Sequence, residues 1–275
     1  MKLGLGTVQF GLPYGINNSA GQTTAEEVTR ILQAASEHNI TFLDTAAAYG
    51  NAEAVLGKND LLPFSIISKY ITPATNRSVE QQLQKTLYEL AVKKLYGYLA
   101  HRPSEILQDN DQWKVLKDLQ EKGLVEKVGF SLNSTEELSE LLKKDFAPDI
   151  IQVPYNYFDN RFENLMIELK ERGCEVHTRS AFLQGLFFKD VNILPSFFDT
   201  VKPLIKRVQQ QTTNISGALL HYVVAKPFID KVIIGVENEQ QLHINIRDLK
   251  LGIELDKNTT KIPEQILMPS NWPKQ

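Results

Sequence analysis

Four side chains of complementary chemistry stand where apolar runs give way to polar loop: Asp44, Tyr49, Lys69 and His101. A carboxylate, a phenol, an ammonium and an imidazole are the groups from which sites that transfer protons and stabilise charge are built. Ile40, Phe42 and Leu43 read as the end of a buried strand that stops at Asp44, with Tyr49 in the loop beyond it. Lys69 closes an apolar run that begins at Phe64, and His101 closes one that begins at Tyr96. Each has an ordinary alternative. Asp44 could be a solvated loop acid or a helix N-cap, Lys69 a rim lysine, His101 a turn residue before Arg102-Pro103, and Tyr49 an aromatic lid beside Gly50. Residues of these types closing consecutive strands favour one shared cleft over four unrelated accidents.

The elements that must position them alternate regularly. Leu3 to Gly11 reads as a first strand whose Gly4, Gly6 and Gly11 leave room for a close backbone or ligand, followed by a polar loop from Tyr14 to Gln22. Thr23 stands at capping-box spacing before Glu26, opening a helix with Val28, Ile31, Leu32 and Ala35 on one face that runs to His38-Asn39. After the Phe64 strand, Ser78 and Gln81 open a helix carrying Leu83, Leu87 and Leu90. The Tyr96 strand leads to a helix with Trp113, Leu116 and Leu119 that stops at Lys122-Gly123. Lys127 to Leu132 is a strand, and Ser134 with Glu137 supplies a second capping box for a helix to Lys144.

Further strands are expected at Ile150 to Val153, Glu175 to Phe182 and Lys231 to Val236. Their helices run from Glu163 to Arg172, from Phe197 to Ala225 (long and partly irregular) and from Glu239 to Leu249, before a tail containing Trp272. Eight such units imply a parallel sheet covered on both faces and closed as an α/β protein of the (β/α)8 TIM barrel type. With no Gly- or Ser-rich linker, the expectation is a single barrel domain over residues 1–275 with a short C-terminal tail. In such a barrel the four chemical residues share the C-terminal rim.

The chain's 275 residues carry a net charge of −3, and the pI is near 6.0. No Lys/Arg stripe offers a nucleic acid a basic field, so a small-molecule partner is expected. The start, Met1-Lys2-Leu3-Gly4, lacks the apolar run of a signal peptide or a membrane span, and the expected location is cytoplasmic. Cys174 is the only cysteine, which excludes an internal disulfide and multi-cysteine metal sites, and its place after Arg172-Gly173 suits a buried inert thiol. His38, His177, His221 and His243 lack mutual ligand spacing and read as surface or helix-end residues, so no metal is expected.

In order along the chain stand Gly4-Leu5-Gly6-Thr7, Asp44-Thr45-Ala46 with Tyr49-Gly50 and Glu53, Lys69, His101, Gly129-Phe130-Ser131, Gln152 with Tyr155-Asn156, and Gly235. In these landmarks, spread over separate strands from Gly4 to about Asn245, the chain resembles the aldo-keto reductase family. The resemblance implies an NAD(P)H-dependent reductase that converts an aldehyde or ketone, a sugar-type carbonyl being one option, to an alcohol. It makes Tyr49 the proton donor, with Lys69 lowering the phenol's pKa, Asp44 holding Lys69 charged, and His101 bonding the substrate oxygen or relaying the proton. It places Ser131 and Gln152 against a carboxamide, Arg179 on the nicotinamide face, and Ser180, Leu183 and Gly185 along the pyrophosphate. Thr7, Gly235, Glu237, Asn238, Gln241 and Asn245 complete the implied cofactor positions. Tyr14, Tyr70, Arg102 and Tyr155, with Tyr157 and Phe158, are the residues expected to face the carbonyl.

Two departures from the family pattern bear on function. Leu132 stands where many members carry an asparagine, and Glu237 stands about where members that take a 2′-phosphate carry Arg or Lys. A carboxylate repels that phosphate and accepts hydrogen bonds from an unphosphorylated ribose, so either NADPH or NADH is implied, with NADH used at least as well. Arg179 as a strand-end ion-pair partner and Glu237 as a solvated first-turn acid are the ordinary alternatives. Two other functions stay open at this point: a cofactor-sensing regulatory barrel with little turnover, and a lyase or isomerase using Lys69 as a Schiff base.

Overall fold

The computed structural model describes residues 1–16, 18, 20–71 and 78–273. The strands are β1 (Leu3–Gly6), β2 (Phe42–Asp44), β3 (Ser65–Tyr70), β4 (Leu95–Ala100), β5 (Val125–Ser131), β6 (Ile150–Pro154), β7 (Glu175–Arg179) and β8 (Lys231–Gly235). Each pairs in parallel with the next, and β8 returns to β1, so the sheet is a closed barrel of eight strands. Register brings the chemistry to one end: Gly6 pairs with Asp44, Lys69 with Leu99, and Ser131 with Gln152.

The helices are α1 (Val8–Gly11), α2 (Ala25–Glu37), α3 (Ala52–Leu56), α4 (Val79–Glu89), α5 (Asp111–Glu121), α6 (Thr135–Lys143), α7 (Glu163–Glu171), α8 (Lys202–Gln211), α9 (Ile215–Val224), α10 (Glu239–Leu249) and α11 (Glu264–Leu267). The apolar stripes of α2, α4 to α7 and α10 bury against the outside of the barrel in one continuous core that includes Ile31, Leu83, Leu116, Leu141, Met166 and Leu242. Inside the barrel a small separate cluster of Ile67, Leu99 and Ile150 fills the bore. A third cluster packs the C-terminal segment, through Ile262, Ile266, Leu267 and Trp272, against Phe158, Phe187, Phe198 and Ile205.

Local chemistry accounts for where the elements begin and end. Ser78 and Gln81 form both halves of a capping box at the start of α4. At α2 the cap is Thr24, which accepts the Glu27 N–H, rather than Thr23. Ser134 caps α6, but the Glu137 carboxylate leaves the expected box to accept the Ser104 N–H at 2.9 Å. The first strand ends at Gly6, five residues before Gly11, because the chain turns into α1 after Thr7. The seventh ends at Arg179, since Ser180, Leu183, Gln184 and Gly185 all take left-handed backbone angles that no strand can hold. The single helix expected from Phe197 to Ala225 is α8 and α9, separated where Thr212 accepts the Asn214 N–H and Asn214 in turn caps α9.

One side-chain expectation changes: His177 is wholly buried in β7 with Nε2 2.6 Å from Glu175. His38, at the end of α2, and the exposed His243 on α10 are surface or helix-end residues as expected, and their rings meet at 3.1 Å. Among the described residues no group of three or more His, Cys, Asp or Glu could hold a metal ion. Cys174 is buried, and burial pushes its thiol up to about 12, which makes it unreactive. No helix among the described residues is long and apolar enough to cross a membrane.

Candidate active site

Lys69 sits near the end of β3 with its side chain turned into the barrel, fully buried. Its Nζ donates to both Asp44 carboxylate oxygens at 2.7 Å and to the Thr45 carbonyl at 2.9 Å, and lies 3.4 Å from the Tyr49 hydroxyl. Burial alone would push the ammonium down, but the Asp44 carboxylate and the Tyr49 oxygen more than offset it, and the Lys69 pKa is raised. Gln152 Nε2 donates to Asp44 Oδ1 at 2.6 Å, so the carboxylate is held from β3 and β6 at once. His101, just beyond β4, meets the Tyr49 ring edge to face with centroids 5.8 Å apart. Burial first, then the charges of Lys69, Arg179 and Arg102, lower its pKa to about 3. The imidazole is therefore neutral near pH 7, with one ring N–H to donate.

Tyr49 lies on no strand, so its position depends on loop packing. A Cβ at Gly11 would fall 1.7 Å from the Tyr49 carbonyl oxygen, and one at Gly50 would fall 2.4 Å from the Gly11 carbonyl oxygen. Gly50 is also left-handed, at φ +59°. The two glycines let the loops after β1 and β2 interlock backbone to backbone, with the Tyr49 hydroxyl directed at Lys69. Glu53 fastens the next turn from below, accepting from Ser68 at 2.6 Å and Thr86 at 3.2 Å, and burial raises its pKa.

Tyr49, His101 and Asp44 open onto a cavity of about 670 Å³ that spans the rim from β4 across β1 to β7, β8 and α10. Thr7, Arg179, Ser180, Gly185, Gly235, Glu237, Gln241 and Asn245 line it. At the β8 end the chain satisfies its own helix start: Glu239 N–H donates to Glu27 at 2.6 Å, Gln241 N–H to Asn238 at 2.8 Å, and Glu237 N–H to the Gln241 side chain at 2.9 Å. The accepted Glu239 N–H and then Arg30 hold the Glu27 carboxyl below its usual range.

A model of the aldo/keto reductase family matches residues 2–267 of this sequence. The chain belongs to the aldo/keto reductase family.

Among members, it is 24% identical over 183 residues to the aldo-keto reductase YhdN of Bacillus subtilis, covering 60% of this chain and 53% of YhdN, so that match spans about half of the relative. It is 22% identical over 284 residues to the B. subtilis oxidoreductase YqkF, covering 90% and 86% of the two chains. Rhazimal reductase 2 of Alstonia scholaris is 29% identical over 187 residues, 58% of this chain and 57% of that one. In fold it is similar to a holo-form aldo-keto reductase from Bacillus halodurans, with TM-score 0.72, 19% identity and 90% and 86% of the chains covered. It is also similar to one from Klebsiella pneumoniae in complex with NADPH, with TM-score 0.68, 19% identity and 93% and 87% covered.

As an aldo/keto reductase family member the chain fits a nicotinamide dinucleotide. The cavity has the volume of a cofactor site, and Gln9 in its wall has a buried Oε1 with no donor among the described residues. Several family-implied positions lie elsewhere. Ser131 and Gln152 are buried behind the lining, with the Gln152 amide nitrogen engaged by Asp44. Leu183 is in the core, and Asn238 serves as the cap of α10. Tyr14 does line the cavity, accepting a hydrogen bond from Gln184 at 2.6 Å, and Arg102 stands next to His101 outside the lining.

Tyr70 and Tyr155 do not line the cavity, and strand parity explains why. Lys69 and Gln152 point into the barrel, so Tyr70, one residue on, and Tyr155, three residues on, point out. Tyr70 is buried against Tyr98 with its hydroxyl 3.4 Å from Gln112, and Tyr155 stacks on Tyr222 and donates to Glu163. Tyr157 and Phe158 pack in the C-terminal cluster. Gln9, Asn133 and Gln184 line the cavity unannounced. Gln9 falls on a stretch that reads as strand but turns helical. Asn133, one residue past the Leu132 departure, was the nearest signal in the sequence.

Proposed function

We propose that the protein is an NAD(P)H-dependent carbonyl reductase with Tyr49 as its proton donor. The observation that carries this reading is the buried contact of Lys69 with Asp44 and with a Tyr49 hydroxyl that opens, beside His101, onto the cavity. A bound nicotinamide supplies the two-electron reduction of the carbonyl carbon, and the chain's own residues answer for the charge this leaves on oxygen. Tyr49 gives its hydroxyl proton to that oxygen, the Lys69 ammonium stabilises the phenolate left behind, and Asp44 keeps Lys69 charged and oriented. Neutral His101 donates a ring N–H to the same oxygen and fixes the carbonyl's direction. A Schiff base on Lys69 finds no support, since its amine is charged and shared among three oxygens of Asp44 and Thr45.

Tyr49→Phe keeps the fold and the cofactor affinity and lowers kcat for carbonyl reduction by about 10²–10⁴-fold. Steady-state kinetics with fluorescence titration of the reduced cofactor read both, and near wild-type turnover removes the assignment.

For the cofactor, we infer that NADH is accepted at least as well as NADPH. The N–H groups of Glu237, Glu239 and Gln241 are already engaged, and the carboxylates of Glu27 and Glu237 stand at the start of α10. A 2′-phosphate arriving there would meet two like charges and few open donors. Titration with each reduced cofactor tests this, and a clear NADPH preference counts against it.

A further inference from the structure

We propose that the Gln9 carboxamide, seated in a notch that Gly235 leaves open, donates a hydrogen bond to the diphosphate of the nicotinamide cofactor. The proposal rests on the reading that this cavity takes such a cofactor, and it adds a residue and a contact to that reading.

Gln9 lies on α1, immediately after β1, and lines the cavity. A Cβ at Gly235 would fall 2.7 Å from both Gln9 Oε1 and Gln9 Nε2, so the amide rests on the end of β8 in space that any side chain at position 235 would occupy. Its Oε1 is buried there with no donor, and its Nε2 has no acceptor among the described residues. The neighbouring polar groups are engaged within the protein: Thr7 Oγ1 donates to the Asp44 carbonyl at 3.0 Å, and the Glu237 N–H donates to the Gln241 side chain. Burying an amide without a partner is unfavourable, and nothing within the described fold offsets it at Gln9. A ligand that accepts from Nε2 does.

Position along the cavity selects the part of the cofactor. Gly6 pairs with Asp44 on one side and with Gly235 on the other, so β1 alone separates the Gln9 amide from the strand that carries Asp44. In the other direction the wall continues to Glu237, Gln241 and Asn245. A dinucleotide with its nicotinamide beside Tyr49 and its adenosine ribose at α10 passes Gln9 at its middle, where the diphosphate is. A diphosphate only accepts hydrogen bonds, which matches an amide N–H, and its charge strengthens the bond. Arg179, the only cation among the described lining residues, donates to Leu132 and Asn133 on the β7 side, so the donor at the β8 side is a neutral one.

Affinities of the full-length protein, Gln9→Leu, Gln9→Glu, Gly235→Ala and the double variant Gln9→Leu with Gly235→Ala are measured for NADH and NADPH by cofactor fluorescence. ADP-ribose, which keeps the diphosphate and lacks the nicotinamide, is measured by displacement of NADH. Thermal melts of each unliganded variant separate loss of binding from loss of fold. Gln9→Leu lowers the affinity for all three ligands by about 10- to 100-fold. Gln9→Glu lowers it further, because a carboxylate repels the diphosphate. Gly235→Ala displaces the amide and weakens binding by a similar factor, and the double variant loses no more than the larger single loss.

Wild-type affinity in Gln9→Leu overturns the proposal. So does Gln9→Glu binding as tightly as the wild type, which would put a ribose hydroxyl donor at Gln9 instead, and so do losses that multiply in the double variant, which would separate Gln9 from Gly235. A loss in Gln9→Leu for NADH and NADPH with ADP-ribose unaffected moves the contact to the nicotinamide and overturns it as well. If the wild type binds neither reduced cofactor, the cofactor reading itself fails, and Gln9 with it.

Discussion

Lys69 and Glu53 are buried and His101 is half-buried, yet their protonation goes three ways. Lys69 has a carboxylate to hold its charge, Glu53 has only hydroxyls, and His101 has cations for neighbours. For His101 the sign is definite. Its folded pKa of about 3 lies below the ordinary 6.5, so the unfolded chain takes the proton first as pH falls. The stability gained by keeping it neutral is present above 6.5 and is lost between 6.5 and 3. Within the folded enzyme, kcat/KM for reduction should show no histidine limb between about pH 5 and about pH 8. An inflection in that range that disappears in His101→Asn would show that the imidazole titrates there after all. The types and spacing of Asp44, Tyr49, Lys69 and His101 were readable from the chain because Asp44, Lys69 and His101 each end an apolar run and Tyr49 stands in the loop just beyond one. The direction of Tyr70 and Tyr155 was readable too, by parity from Lys69 and Gln152, and composition at the rim concealed it.

At the scale of elements, apolar runs bounded by turn and cap residues identified every strand and the longer helices, while the short α1, α3 and α11 went unread, α1 being taken as the end of the first strand. Periodicity is a property of burial, and each strand of a barrel is buried on both faces. What escaped was governed by backbone angle and loop contact. The left-handed turn at Ser180 to Gly185 ends β7 early, and Thr212 and Asn214 divide a helix with hydrogen bonds that no hydrophobic pattern reveals. The start of α10 is of the same kind. Asn238 could be recognised as a cap, but Glu27 reaches Glu239 from α2, across a separation that only the closed barrel brings together. The start of α10 thereby carries the Glu27 carboxylate beside that of Glu237, a neighbour that sequence position alone did not supply.

At the scale of the whole molecule, the two ends of the barrel divide chemistry from stability. At the end opposite the cavity, Glu175 opens β7 and gathers Tyr96 at 2.6 Å, His177 at 2.6 Å and the Lys127 ammonium. Burial pushes its carboxyl up, but hydrogen bonds from His177, Lys127 and Tyr96 outweigh this and hold it at about 2, below the ordinary 4.5. Its contribution is therefore fully present above 4.5 and is lost as pH falls toward 2. Glu175→Gln should cost about 1–3 kcal/mol at neutral pH, the lower part of that range reflecting the partial exposure of Lys127. Urea melts from pH 7 down to about pH 3 should show a shallower acid decline in the variant than in the wild type. Parallel declines would mean that the cluster carries no pH-linked stability.

The interlock of Gly11 with Gly50 has a consequence for how the enzyme tolerates change. Tyr49 has no strand of its own to stand on, and it takes its alignment from a glycine near the chain's beginning that does not itself line the cavity. A single methyl group added at position 11 would therefore be felt as a misaimed hydroxyl, a chemical lesion with a mechanical origin.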